Sequence, residues 1–236
     1  DILDTWATSS LTPQLAGGWI DDPELFAKVY PYDLRPQGQD IIRTWLFSSV
    51  LRSLQEEQKL PWSDAAISGW ILDPDRKKMS KSKGNVVTPA DLLVEHGSDA
   101  VRYWAASARL GTDAAFDTGM MKIGRRLAIK LLNAAKFALS FESPNASAKV
   151  TEPIDQSQLL ALADLVREAT AAFEGYDHTR ALELTEKFFW NFTDDYLELV
   201  KERAYGQGGA TAAGQASAVF TLRQSLHVML RLLAPF

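Results

Sequence analysis

"RKKMSKSKGN", residues 76–85, sets five cations (Arg76, Lys77, Lys78, Lys81 and Lys83) within eight positions and closes on a Gly-Asn pair. The whole chain has a net charge of −5, so this density is local and not a reflection of composition. Lys78 and Lys81, three apart on a glycine-terminated loop, can bring two ammonium groups to one polyphosphate. Lysine suits that task as a mobile point charge that meets negative charge as it develops on a leaving phosphate. Ser80, Ser82 and nearby backbone N–H groups add neutral donors. A basic octamer taken alone reads better as a solvated loop or a nonspecific RNA contact. The flanking sequence has to decide.

Working outward, "AAISGWIL" (65–72) before the loop is an apolar run of strand length. The amphipathic run Asp40–Gln58 and the Pro/Gly turn "DLRPQGQD" precede it. Strand, helix and strand in that order point to a parallel α/β sheet. After the loop, Thr88-Pro89-Ala90-Asp91 reads as a helix start, with a hydroxyl cap, proline in the first turn and an acid behind it. Gly97 ends that helix, and "DAVRYWAASA" forms another that stops near Gly111.

From about residue 117 the pattern becomes wholly helical. Helices are expected over 118–141, 157–174, 179–204 and 212–233, separated by "ESPNASAKVTEP", "GYDH" and "GQGGATAAG". Short links between long amphipathic helices imply an antiparallel bundle. Residues 118–141 hold five basic side chains and no acid. Lys122, Arg126 and Lys130 recur at four-residue spacing and continue toward Lys136 and Phe137, a cationic stripe able to follow RNA phosphates. Met121, Leu131, Leu132, Ala135 and Leu139 are expected on the core side. An ordinary lysine-faced amphipathic helix fits the stripe equally well. "FFWNF" (188–192) reads as core.

Composition narrows the classes further. Hydrophobic content of 46% and charged content of 23% are those of a globular protein. No window has the apolar length of a membrane span. With zero cysteines there are no disulfides or thiolate metal sites, and a reducing, cytoplasmic setting is expected. The three histidines (His96, His178 and His227) are scattered, so no metal site is expected. Both termini read as cuts within a longer protein.

Four ordered stretches then carry a resemblance. "KMSKS" followed by "KGNVV", with "DILDTWATSSL" (1–11), "PQGQDIIRTWLF" (36–47) and "GSDAVRYWAASA" (97–108), resembles the class I aminoacyl-tRNA synthetases, and within them the valine-specific branch of the bacterial kind. In the isoleucine-specific relatives the stretch after Gly-x-Asp usually reads Gln-His-Arg-Gly-Trp-Phe. Here it is Ile-Ile-Arg-Thr-Trp-Leu (41–46), the valine pattern, which leaves the isoleucine branch as the alternative.

The resemblance implies a role for each matching residue. Lys81, assisted by Lys78, would stabilise the transition state of adenylate formation. Met79 would border the adenine, with Ser80 and Ser82 beside the phosphates. Gly38 and Asp40 would bind ATP on its ribose side, and Trp6, Ile41 and Trp45 would wall the valine pocket. Ile41 and Trp45, four apart, would share one helix face. An apolar wall of this kind rejects an isosteric hydroxyl only about 10²-fold, which explains separate editing in such enzymes.

The implied fold is the C-terminal part of a Rossmann-like parallel sheet (1–87), a small connecting element (88–116) and an anticodon-binding helix bundle (117–236), truncated at its C-terminus. Lys122, Arg126, Lys130, Lys136 and Phe137 would then meet tRNA(Val), with the Phe137 ring as a stacking platform. The implied substrates are valine and ATP with Mg2+, in a monomeric parent enzyme. The chain has no His-x-Gly-His signature and no editing insertion, so by itself it is not expected to activate valine. It would act in isolation as a tRNA-binding module.

Overall fold

The computed structural model describes residues 4–142 and 149–236, except for the side chain of Lys81. The first three residues of "DILDTWATSSL" and residues 143–148 of the expected separator lie outside the described part. The chain divides into two compact units. One comprises Asp1–Asn85 with Arg109–Phe116, the other Val86–Ala108 with Asp117–Phe236. The expected connecting stretch 88–116 is therefore shared between them, its last eight residues belonging with the sheet.

The first unit begins with three short helices, α1 (Thr5–Ser9), α2 (Thr12–Ala16) and α3 (Pro23–Val29). Asp22 caps α3 by accepting from the Leu25 N–H at 2.9 Å. Strand β1 (Tyr32–Gly38) follows, then helix α4 (Phe47–Glu57) and strand β2 (Trp62–Ser68). Strands β1 and β2 pair in parallel, in register from Tyr32↔Trp62 to Gly38↔Ser68. The order is the strand–helix–strand one read from sequence, but its first strand is "YDLRPQG", the stretch read above as a Pro/Gly turn; its backbone is held extended by pairing with β2 along its whole length.

Two further details differ from the sequence reading. The run from residue 40 is not one regular helix: Gln39–Ile41 form a 3₁₀ turn and Ile42–Leu46 a π turn before α4 begins. Ile41 and Trp45 thus sit on different kinds of turn, and their spacing of four does not place them on one α-helical face. The run 65–72 is also split. Strand β2 ends at Ser68 and β3 (Ile71–Leu72) pairs in parallel with β4 (Ala114–Ala115). Gly69 sits at the break because a Cβ there would lie 2.0 Å from the Thr112 carbonyl oxygen.

The second unit opens with α5 (Pro89–His96) and α6 (Ser98–Ala106), joined through Gly97 at φ +85°. Thr88 occupies the N-cap position of α5, but its hydroxyl makes no capping bond. The bundle follows: α7 (Thr118–Leu139), α8 (Pro153–Glu174), α9 (His178–Asn191), α10 (Leu197–Ala204) and α11 (Ala212–Leu233). Asp117, Asp177 and Thr211 cap α7, α9 and α11 through their side chains. Helices α9 and α10 run on from each other through a π turn at Phe192–Tyr196, where a single helix was expected. Phe189, Phe192, Tyr196 and Val200, spaced three, four and four apart, all face the core along this continuous run.

Nearly all of the apolar core belongs to this unit. Among the described buried aliphatic and aromatic side chains, Tyr30 and Trp62 are the two in the first, beside the buried rings of Pro13 and Pro61. Phe189, Phe192, Val200, Leu222 and Met229 form its centre, with Leu127, Ala134 and Ala138 of α7 against them. Burying aliphatic and aromatic side chains of this size stabilises by about 1.5–3 kcal/mol each. Helix α7 corrects the expected inward set. Met121, Gly124, Leu127, Ala134 and Ala138 are buried, whereas Leu132 and Leu139 are more than half exposed. The two leucines are seven apart and share one edge of the helix, about a quarter-turn from the core and on a different strip from Lys122, Arg126 and Lys130.

Below this core, Asp155 is fully buried. The Arg203 guanidinium donates to both of its carboxylate oxygens, at 2.6 and 2.8 Å, and the Tyr196 and Ser217 hydroxyls donate at 2.7 and 2.5 Å. Burial pushes the carboxyl up, but the Arg203, Ser217 and Tyr196 hydrogen bonds outweigh it and hold Asp155 below the usual range. The network ties α8 to α10 and α11. No helix among the described residues is long and apolar enough to cross a membrane.

Candidate active site

The cationic loop begins at Asp73, immediately after β3. Asp73 accepts the Lys77 N–H at 2.7 Å on Oδ1, while its own N–H donates to the Lys77 carbonyl at 2.9 Å. The turn is completed by Arg76 in the left-handed region, at φ +61°. Residues Lys81–Lys83 form a 3₁₀ turn, and Gly84 reverses the chain at φ +68°. A Cβ at Gly84 would meet nothing within 4 Å.

Asn85 closes the loop. Its Nδ2 donates to Asp73 Oδ2 at 2.7 Å and to the Lys78 carbonyl at 3.3 Å, and its Oδ1 accepts the Ser80 N–H at 2.9 Å. The Asn85 amide and the Lys77 N–H hold the Asp73 carboxyl below the usual carboxylate range. The sequence reading passed over Asp73 and Asn85. A lone acid before a basic run and an Asn after a Gly were the available signals.

Of the residues predicted for polyphosphate, Lys78 is exposed and its ammonium lies 3.1 Å from the Trp70 ring centroid. The hydroxyls of Ser80 and Ser82 are 2.9 Å apart, and Ser80 Oγ also accepts the Lys83 N–H at 3.3 Å. Met79 is half-buried. Lys81 contributes its backbone to the 3₁₀ turn, and its side chain lies outside the described part.

Gly38 ends β1, and Asp40 lies over it: a Cβ at position 38 would come within 2.7 Å of Asp40 Oδ1. The glycine is therefore what lets the exposed carboxylate of Asp40 fold back across the strand end. Beside it, Asp113 Oδ1 accepts the Trp70 N–H at 2.8 Å and Gln39 Nε2 at 3.3 Å, joining the 109–116 segment to this end of the sheet. Trp45 donates its indole N–H to the Ser9 carbonyl at 2.7 Å, which brings the π turn onto α1, the helix that carries Trp6. Trp6 is 38% exposed, and Ile41 and Trp45 are half-buried. The Arg35 guanidinium stacks over Trp45 at 3.3 Å and faces Trp62 at 5.0 Å.

On the bundle, Lys122, Arg126 and Lys136 are exposed. Arg126 reaches over Trp190 at 5.4 Å, and Lys130 pairs with Asp194 at 3.3 Å. Phe137 is half-buried, with edge contacts to Phe141 at 5.1 Å and Tyr205 at 6.0 Å. Among the described residues no group of three or more His, Asp or Glu is placed to hold a metal ion.

A family profile described as "tRNA synthetases class I (I, L, M and V)" matches residues 1–117, and one described as "Anticodon-binding domain of tRNA ligase" matches residues 155–236. The chain is 68% identical over 240 residues to the valine--tRNA ligase of Leifsonia xyli subsp. xyli, covering 100% of this chain and 28% of that protein. It is 65% identical over 239 residues to that of Thermobifida fusca, covering 100% and 27%. The chain thus spans little more than a quarter of the length of the curated relatives it matches. Among solved structures, a ternary LeuRS–tRNA–LeuAMS complex of Agrobacterium radiobacter K84 matches with a TM-score of 0.77 at 21% identity, covering 100% of this chain and 30% of the other. Methionyl-tRNA synthetase of Mycobacterium tuberculosis in complex with methionyl-adenylate matches with a TM-score of 0.70 at 24% identity, covering 94% and 45%. These two likenesses establish a class I synthetase fold.

Proposed function

We propose, on the premise that this chain belongs to the class I tRNA synthetases as a segment of the valine--tRNA ligase kind, that it supplies one side of a valine-activating site and a surface for tRNA(Val). In the proposed reaction the valine carboxylate attacks the α-phosphorus of ATP. A C–O–P bond forms, the α–β bridging bond breaks, and pyrophosphate leaves with its Mg2+. A terminal ribose hydroxyl of tRNA then attacks the activated carbonyl and releases AMP.

In this reading Lys78 and Lys81 neutralise charge on the departing pyrophosphate, with Ser80 and Ser82 as neutral donors. Asp40, folded across Gly38, accepts the ribose hydroxyls, and Met79 borders the adenine. Trp6, Ile41 and Trp45 enclose the valine side chain. The segment 88–116 connects the catalytic part to the bundle. The stripe Lys122, Arg126, Lys130 and Lys136, with the aromatic group around Phe137, faces the anticodon arm.

The observation that carries the reading is the 68% identity to a valine--tRNA ligase over the full chain, with the cationic loop inside the aligned span. Valine-dependent exchange of pyrophosphate into ATP by the intact enzyme containing this segment tests it. Exchange with valine well above exchange with isoleucine is expected, and Lys78→Ala should reduce it about 10²-fold. Exchange with isoleucine alone, or none with either amino acid, overturns the reading. Titration of tRNA carrying a valine anticodon against the same body with that anticodon swapped tests the bundle, and tighter binding of the first is expected.

A further inference from the structure

Between Asp73 and Asn85 the loop holds four exposed described cations, Arg76, Lys77, Lys78 and Lys83. Their mutual repulsion and the backbone entropy of an open loop both favour a disperse ensemble. Against this, two side chains gather the loop from both ends. Asp73 takes the Lys77 N–H at 2.7 Å and the Asn85 amide at 2.7 Å. Asn85 reaches the Lys78 carbonyl at 3.3 Å and the Ser80 N–H at 2.9 Å. The entry, the first lysines, the central serine and the exit are thus tied to a single pair.

The chemistry of each member fits its place. A carboxylate offers only acceptors, and Asp73 faces donors alone: the Asn85 amide and the Lys77 and Asp75 N–H groups. A carboxamide carries a donor and an acceptor in one plane, and Asn85 uses both. Asp73 is buried at 6% exposure, and its oxygens are occupied by the loop itself. An anion near a phosphate site would otherwise repel the substrate.

We infer that Asp73 and Asn85 are positioning residues for the adenylation step, a clamp that fixes the base of the loop so that its lysines meet the polyphosphate in one geometry. This rests on the function proposed above. The pair acts through Lys77, Lys78 and Ser80 and touches no substrate itself. Misplacing a catalytic charge by about 1 Å costs on the order of a hundredfold in rate.

The test is valine-dependent ATP–pyrophosphate exchange by the intact enzyme carrying Asp73→Asn, Asn85→Asp, or both together. The first change points an amide donor at either the Lys77 N–H or the Asn85 amide. The second sets two carboxylates face to face. The double swap restores acceptor-to-Lys77, amide-to-carboxylate and carboxylate-to-Ser80 bonds, but sets an acceptor oxygen against the Lys78 carbonyl, so recovery is expected to be partial. Each single variant should lower kcat about a hundredfold with the KM for valine changed less than about twofold, and the swap should recover about tenfold or more. Single variants within about threefold of wild type, or a swap as slow as the singles, overturn the inference. Where Asp73→Asn does not fold, as judged by its melting curve, Asn85→Ala carries the same kcat comparison. Lys78→Ala is the control. If it leaves exchange unchanged, the proposed function of the loop fails; if it slows exchange while the clamp variants do not, only the clamp fails.

Discussion

The guanidinium of Arg35 lies 3.3 Å from the centroid of the Trp45 ring, while Trp62 faces it from 5.0 Å. Arg35 is 9% exposed, and its Nε and Nη2 have no protein hydrogen-bond partner. Desolvation lowers its pKa. Its cation is therefore held chiefly by two aromatic faces, and in return its plane backs the ring proposed to wall the valine pocket. Arg35→Met in the intact enzyme should raise the KM for valine about tenfold while kcat stays within about twofold, because only the support of Trp45 is lost. Steady-state kinetics with varied valine check this. An unchanged KM would show that the Ser9 carbonyl alone orients Trp45.

Lys78 rests on Trp70, and a cation–π contact at an exposed position is worth about 0.5–1 kcal/mol. In the proposed reaction, phosphate would have to draw the ammonium off this ring. Trp70→Leu removes the resting position and should lower the KM for ATP by roughly two- to fivefold, the range that contact energy corresponds to. A rise in the KM for ATP would mean that the ring aims Lys78 and does not detain it.

Asp155 and Arg203 form a buried bidentate pair at 2.6 and 2.8 Å. Arg203→Met leaves an unpaired buried carboxylate and should destabilise the bundle by about 3–5 kcal/mol, read by chemical denaturation. The pair also sets an acid limit. The folded carboxyl lies below its ordinary 3.8, so its contribution is fully present above that value and is lost as pH falls through the lower folded one. Wild-type stability should therefore decline more steeply below about pH 4 than that of a variant in which both partners are replaced by apolar residues of similar volume.

The stripe on α7 has unequal members. Lys122 and Arg126 are exposed, whereas Lys130 is paired with Asp194 at 3.3 Å. Lys122→Gln should reduce the slope of log affinity for tRNA against log salt by about one, and Lys130→Gln by clearly less. Filter binding at several salt concentrations measures both slopes.

Much of this was legible in the residues. Helices α7, α8, α9 and α11 follow the three- and four-residue recurrence of their apolar side chains, and α4 and β2 follow the order of their runs, whereas β1 lay in a stretch whose Pro and Gly read as a turn. What escaped were features set by tertiary packing. The π turn at Phe192–Tyr196 interrupts a run whose apolar spacing of three and four reads as one regular helix, so nothing in the pattern marks it. The turns at 39–46 hid in the same way, since their periodicity is irregular by construction. At the loop, the lysines stood out by charge, while the residues that shape it, Asp73 and Asn85, are single polar side chains twelve positions apart. Leu132 and Leu139 were misread because a helix with a cationic stripe can still present leucines on its outer face.

Gly84 adds a constraint of another kind. A side chain at that position would have room, with nothing within 4 Å, yet the backbone turns at φ +68°, where L-residues pay about 1–2 kcal/mol. The loop therefore selects by chirality and not by volume. A D-alanine introduced there by chemical ligation would keep the turn and stiffen it, while its mirror image, L-alanine, would pull the turn open.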